Sequence, residues 1–179
     1  MTNTQDLRRW IEYERQYSLD RLDELVAEAV QQGANSRAVV LLDFKRIAAD
    51  ADVQLSSRMT RCAGKAFPQR KLIKISTPLF CATCNADVAE HQFRMTYRHE
   101  LAHLLCACRE TLVQRPGYYD NGHGATWRNV CRMIGGNGAR THKLKLTHNT
   151  TTDTRPMPPR VSAPRRNDGL DPLRKLLSF

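Results

Sequence analysis

Apolar residues recur at helical spacing over much of the N-terminal third of the chain. Between Ser18 and Gly33 this spacing predicts a helix, with Ser18 as its N-cap and Gly33 as its C-terminal stop. A short charged helix is expected before it, around residues 7–11, and another helix from Arg37 to Ala48. The N-terminal region is therefore predicted to form three separate helices.

The pattern changes between about Val53 and Phe80. VQLSS and KLIKIS alternate apolar and polar residues, and Gly64, Pro68 and Pro78 interrupt the stretch, so two or three strands of a small antiparallel sheet are expected. Helical spacing then returns, from about residue 86 to 108 and from about residue 124 to 134. The whole pattern predicts an α+β fold with helices packed on a small antiparallel sheet.

The last thirty residues differ in composition from the rest. Residues 150–169 hold four of the chain's eight prolines, several arginines and few large apolar residues, which predicts a disordered basic linker. The final DPLRKLLSF regains leucines and could form a short amphipathic segment on a partner. We therefore expect one domain over residues 1–147, with a core from about residue 18, and a tail over residues 148–179.

Charge adds a candidate partner. The 179 residues carry a net charge of +10, and because residues 1–33 contain 4 basic and 7 acidic side chains, the remainder carries +13. A field of this size favours a polyanion such as nucleic acid, bound through non-specific phosphate contacts. In the tail, four arginines are the candidates for such contacts, with a merely solvated linker as the alternative: Arg155, Arg160, Arg165 and Arg166.

Composition also bears on the compartment. No stretch approaches the roughly 18 apolar residues of a membrane helix, and the first residues, MTNTQDLRRW, lack the apolar core of a secretory signal. The six cysteines are then expected to be reduced thiols or metal ligands. We expect a cytoplasmic protein, associated with nucleoid DNA, and no membrane partner.

The segment from His99 to His103, HELAH, matches the pattern H-E-x-x-H within a predicted helix. Residues four apart on a helix lie on one face, so both imidazoles can bind the same ion. Glu100 stands beside the metal rather than on it, where its carboxylate can act as a general base on a water molecule. A chance match to three fixed positions is the alternative, but three polar side chains among leucines need partners, and a metal ion is one.

A catalytic zinc of this kind needs a third protein ligand and an open position. The metzincin extension is excluded, because Cys106 and Arg109 stand where it needs Gly and His. His123, between two glycines that permit a sharp turn, is the preferred third ligand, and the carboxylates of Glu110 and Asp120 are the alternatives.

These motifs resemble those of the SprT-like zinc metalloproteases. HELAH followed by HGATW is similar to the family's H-E-x-x-H and H-G-x-x-[FW], SRMTRCAG to its R-M-T-x-x-A-G, KLIKISTPL to its I-x-L-S-x-x-L, and RTH to the segment after its last helix. The resemblance covers about residues 20–146 and implies a zincin-like domain with one Zn²⁺ ion on His99, His103 and His123 and with Glu100 as the catalytic base.

The resemblance also implies a function. The expected enzyme is a zinc metalloendopeptidase, and because the family includes the Spartan-type enzymes, DNA-bound or DNA-crosslinked proteins are its expected substrates. Many relatives add a C-terminal zinc ribbon, whereas this chain has no cysteine after Cys131. The alternative is a DNA-binding or adaptor protein with a structural zinc and little proteolytic activity. Four residues are candidates for stabilising the oxyanion: Tyr97, Arg98, Tyr118 and Tyr119.

A second zinc site is not expected. Cys81 and Cys84 have metal-ligand spacing, but Cys106 and Cys108, two apart on a helix, point in nearly opposite directions and cannot complete the site. Trp127, with Val130 and Ile134, is expected in the core. The histidines outside the two motifs are expected to lie at the surface or in hydrogen bonds: His91, His142 and His148.

Overall fold

Helices packed on a three-stranded sheet form the part of the chain that is described. The computed structural model describes residues 2–83, 85–112 and 122–140, without the side chains of residues 109–112. Its elements are α1 (Thr4–Gln31), α2 (Asn35–Asp50), β1 (Asp52–Ser56), β2 (Gly64–Phe67), β3 (Leu72–Ser76), α3 (Thr77–Cys81), α4 (Ala86–Leu112) and α5 (Ala125–Met133). The predicted α+β class is confirmed.

The first helix is longer than the sequence pattern suggested. Asn3 forms a capping box at its start, and no glycine or proline interrupts the chain from there to Gln31. The prediction that Ser18 caps a separate helix is wrong, because Ser18 lies inside α1 with 1% of its surface exposed. Gly33, at a φ of 67°, ends the helical segment as predicted.

The sheet is mixed rather than antiparallel. β3 is the central strand; β2 pairs with it in the antiparallel direction as predicted, whereas β1 runs parallel to it, which corrects the prediction for that pair. The connections explain the difference. Only the short turn at residues 68–71 joins β2 to β3, whereas residues 57–71 separate β1 from β3 and are long enough for a parallel crossover.

α4 is the central helix of the structure and packs against α1, α2, α5, β2 and β3. The inner face of the sheet contributes Ile73 and Ile75, both fully buried, to the same core as Phe93 and Leu104 of α4. The short helix α3, which the sequence did not predict, begins at Thr77 and is capped by Ser76, whose hydroxyl accepts the amide hydrogen of Leu79 at 3.2 Å. Among the described residues, no helix has the length and hydrophobicity needed to cross a membrane.

A buried ion pair fixes α4 against α1. Two guanidinium nitrogens of Arg98 donate to the carboxylate oxygens of Glu14 at 2.7 and 3.0 Å, and Glu14 is fully buried. A third nitrogen of Arg98 donates to the backbone carbonyl of Gly135 at 2.8 Å, just after α5. Breaking such a pair leaves an uncompensated buried charge, at a cost of about 3–5 kcal/mol. Arg98 thus joins α4 to α1 and to the segment that follows α5, next to His99.

Candidate metal centre

Three imidazole rings from two parts of the chain converge on one point. His99 and His103 lie one turn apart on α4, and their Nε2 atoms are 3.2 Å apart. The Nε2 atom of His123 lies 3.2 Å from that of His103 and 3.0 Å from that of His99. The structure therefore brings together all three residues that the sequence predicted as metal ligands.

This triangle of nitrogens has the dimensions of a metal site. Zn–N bonds of about 2.0–2.1 Å in a tetrahedral site place the nitrogens about 3.3–3.4 Å apart, close to the observed distances. Burial, with a smaller contribution from His123, lowers the pKa of His103 to about 4, so its ring is neutral at pH 7. A neutral imidazole has one N–H, so three facing nitrogens cannot all hydrogen-bond to each other, whereas one cation can bind all three. The donor set fits a single zinc ion.

The turn before α5 brings His123 to the other two histidines. Gly122 has a φ of 84°, a conformation that L side chains rarely adopt, and a Cβ added to it would lie 3.6 Å from Cε1 of His103. Gly124 is extended and serves as the N-cap of α5 without a side-chain hydrogen bond. The predicted sharp turn beside His123 therefore depends on Gly122 rather than on Gly124.

The ring of Trp127 packs against all three imidazole rings. Its ring lies 4.7 Å from that of His99, 5.0 Å from that of His103 and 4.6 Å from that of His123, and it is stacked on His103. The residue is only 2% exposed, so the prediction that it belongs to the core is confirmed. The prediction did not include this second role, in which an aromatic core residue packs against all three rings.

Glu100 lies next to the cluster in a confined space. Burial raises the pKa of its carboxyl to about 7, and a hydrogen bond from the backbone of Ala66 opposes this shift. Gly64 provides the room: a Cβ at that position would lie 2.7 Å from Cγ of Glu100 and 2.8 Å from Cγ2 of Thr96. β2 can approach α4 this closely only because it begins with glycine.

A cleft of about 380 Å³ opens over these residues. One wall is β2 with Pro68, the floor is α4, and the other wall is the start of α5. Sequence reasoning missed the residues of β2 that line it, although an isolated glycine in a strand pattern is a known signal of close backbone approach. The lining residues from β2 are Gly64, Lys65 and Ala66.

The sequence pattern of the SprT-like family matches residues 29–152. The chain belongs to the SprT-like family. No curated protein and no solved structure matches the chain. Family membership and the histidine cluster together support a metallopeptidase-like role for this SprT-like chain. Among the described residues, the three histidines are also the only group of three or more side chains that could hold a metal ion.

Two of the predicted oxyanion candidates do not line the SprT-like cleft. Tyr97 is 1% exposed and belongs to the hydrophobic core, where burial raises its pKa to about 12. Arg98 is held by Glu14 and Gly135 on the far side of α4. Both candidates were suggested by their closeness to His99 in sequence, and adjacent positions on a helix point in different directions.

The cysteines have separate surroundings. Cys106 lines the cleft, whereas the buried Cys108 donates to the carbonyl of Pro68 at 3.3 Å. Cys62 is exposed and Cys131 is buried. His91 is exposed, as predicted.

Several predictions fall outside the described residues. They concern the tail over residues 148–179 with its arginines and its C-terminal segment, the second zinc motif at Cys84, and individual side chains. The individual side chains are Glu110, Tyr118, Tyr119, Asp120, His142 and His148.

Gly64→Ala tests the contact between β2 and the base. The added methyl group collides with both Glu100 and Thr96, so we expect the free energy of unfolding to fall by about 1–3 kcal/mol, as measured by urea denaturation. In the double variant Gly64→Ala, Thr96→Ser the second collision is removed, and part of the loss should be recovered. Equal stability of Gly64→Ala and the wild type would contradict the close approach.

Proposed function

We propose that this chain is a zinc-dependent endopeptidase that acts on DNA-associated or DNA-crosslinked proteins. The observation that carries the proposal is the convergence of three imidazole nitrogens within 3.0–3.2 Å of one another, with Glu100 on the same helix at the edge of a cleft. A site that only stabilises the fold does not need a buried carboxylate beside its ligands. Here, that carboxylate faces the cleft rather than a basic partner.

The chain's own residues supply the other parts of a peptidase site. His99, His103 and His123 would hold the ion, and zinc bound there would act as a Lewis acid on a peptide carbonyl and acidify water. Glu100 would take the proton of the attacking water on a carboxylate oxygen and deliver it to the leaving amine. Burial raises the pKa of Glu100, and a cation bound nearby would oppose that shift and favour the ionised form that accepts a proton.

β2 offers a place for an extended peptide. Among the described residues it pairs only with β3, so its other edge is open along the cleft. Backbone groups alternate in direction along a strand, and since the backbone of Ala66 reaches Glu100, its N–H points away from β3. An unfolded segment of a protein could add to this edge as a further strand through the backbone groups that Glu100 does not engage, and pass directly over Glu100.

The proposed substrate class rests on charge. The chain carries +10 overall and +13 beyond residue 33, which favours association with nucleic acid and with the proteins bound to it. The other candidate function, an adaptor with a structural zinc, shares this charge. It does not use Glu100 or the open edge of β2.

A cleavage assay separates the two functions. Purified full-length chain is loaded with zinc and incubated with an unfolded protein and with a DNA-binding protein, each with and without DNA. We expect cleavage that stops when a chelator is added and returns with zinc, and that is faster for the DNA-binding protein when DNA is present. Absence of cleavage by the zinc-loaded chain under all of these conditions would favour the adaptor.

A further inference from the structure

The outer face of the sheet carries two lysines directly opposite each other. Lys65 on β2 pairs in register with Lys74 on β3, while their neighbours Gly64 and Ala66 pair with the buried Ile75 and Ile73. Since side chains alternate between faces of a sheet, both lysines point away from the core. With Phe67, which shares their face, we call them the lysine patch.

The two ammonium groups share one aromatic ring. Nζ of Lys65 lies 5.3 Å from the centre of the Phe67 ring, and Nζ of Lys74 lies 5.7 Å from it. Like charges directly opposite each other on paired strands are destabilising. Attraction to the ring offsets part of that repulsion, but a ring carries no net negative charge. The pair therefore leaves an uncompensated positive field on the sheet.

No acidic side chain neutralises the lysine patch in the part of the chain that the structure describes. Neither lysine has a carboxylate within the distance of an ion pair, unlike Lys71, which binds Asp50 at 2.7 Å. The one acidic residue on this face, Asp52 on β1, accepts a hydrogen bond from Gln54 at 2.6 Å instead.

Protection of the sheet edge does not account for the pair. Lysines on edge strands commonly prevent pairing with other chains, and Lys65 on β2 could serve that purpose. Lys74 lies on the central strand β3, where there is no open edge to protect. The positive charge of Lys74 opposite Lys65 destabilises the strand pair, and edge protection does not explain it.

The surrounding segment extends the positive field. Residues 53–86 contain six basic and no acidic residues. Arg58 and Arg61, both exposed, lie in the connection between β1 and β2, and the exposed Arg70 lies at the opposite end of β2. Positive charge therefore runs along the whole length of the β2–β3 hairpin, about 13 Å for a four-residue strand.

We propose that the lysine patch binds the phosphate backbone of a nucleic-acid strand. Lys65 lies on the edge strand β2 and also lines the cleft, so a nucleic-acid strand bound at that edge would run beside β2 and hold an attached protein near Glu100. That consequence rests on the proposed peptidase function, whereas binding itself does not. A row of regularly spaced phosphates fits a charged strip with cations at both ends better than a peptide with scattered carboxylates does.

Anisotropy of a labelled single-stranded oligonucleotide tests the proposal with the full chain. Lys65→Gln, Lys74→Gln is compared with Arg8→Gln, Lys45→Gln, which removes the same charge from α1 and α2. Both double variants are also made with the tail arginines 155, 160, 165 and 166 changed to Gln. We expect only the patch variant to weaken binding in both backgrounds, and to lower the slope of log K against log salt by about 0.7 for each lost contact, about 1.4 in all.

Two results would overturn the proposal. In the first, the patch variant binds the oligonucleotide as tightly as the control variant does. In the second, polyglutamate competes with the wild type as effectively as unlabelled oligonucleotide, which would assign the patch to acidic protein segments. Circular dichroism and zinc content of each variant check that the fold is retained. The experiment measures binding of the oligonucleotide, so it tests the lysine patch even if the cleavage assay detects no peptidase activity.

Discussion

Glu100→Gln is expected to lower kcat/KM for peptide hydrolysis by a factor of about 10²–10⁴ and to leave the zinc content unchanged. Glutamine has nearly the shape of glutamate, so it fits the same space against Gly64 and Thr96. The glutamine amide cannot accept a proton from water, so the proposed base is lost. The zinc content should not change, because residue 100 is not one of the three imidazole ligands. Cleavage of an unfolded protein and metal analysis of the same preparation measure the two effects.

Glu90→Gln is the matched control. Glu90 lies on the same helix, is half-buried and forms an ion pair with Arg94, so its replacement changes the charge of α4 by the same amount away from the cleft. We expect it to leave both kcat/KM and zinc content close to the wild type. If Glu100→Gln cleaves as fast as this control, Glu100 is not the base and the proposed peptidase mechanism fails.

Local periodicity explains why most of the metal centre was predictable. The spacing of His99 and His103 on a helix depends only on the helical repeat, and an amphipathic pattern identifies the helix. His123 required one further step, from its flanking glycines to a turn, and Gly122 makes that turn at a φ of 84°. Each of these inferences uses residues within a few positions of one another.

The contacts between distant segments were not predictable in this way. Gly64 touches Glu100, 36 positions later, and Glu14 binds Arg98 across 84 positions. A single sequence contains no record of such pairs. By sequence alone Arg98 is a candidate for the cleft because it precedes His99, whereas in the structure its partner Glu14 lies on α1.

The same limit applies to the sheet and to α1. Alternation identified the strands, but their directions follow from which connection is a tight turn and which is a crossover, and alternation does not distinguish these. At Ser18, a residue common at helix starts lies inside a helix because the chain before it has no breaker and Asn3 provides a stronger cap. Local signals predict where helices and strands lie. Where two local signals compete, contacts between distant segments decide which one prevails.

His123→Ala removes one of the three imidazoles and is expected to abolish most of the zinc binding. At a free zinc concentration 100 times its Kd, a protein that binds only in its folded state gains about 2.7 kcal/mol of stability. We expect the wild type to show a zinc-dependent rise in Tm of this origin and His123→Ala to lose most of it at the same zinc concentration. Thermal denaturation with and without zinc, beside metal analysis, measures the loss.

His91→Ala is its control, because His91 is an exposed histidine on α4 that lies outside the cluster. It should keep the zinc-dependent rise in Tm in full. If His123→Ala binds zinc as tightly as His91→Ala, then His123 is not the third ligand. A carboxylate would then hold that position, and Glu110 and Asp120 are the candidates. Because the three Nε2 atoms lie within 3.2 Å of one another, removing one should open the triangle and leave only two neighbours on one helical turn. Two imidazoles alone hold zinc far more weakly than three, so metal affinity and cleavage should fall together.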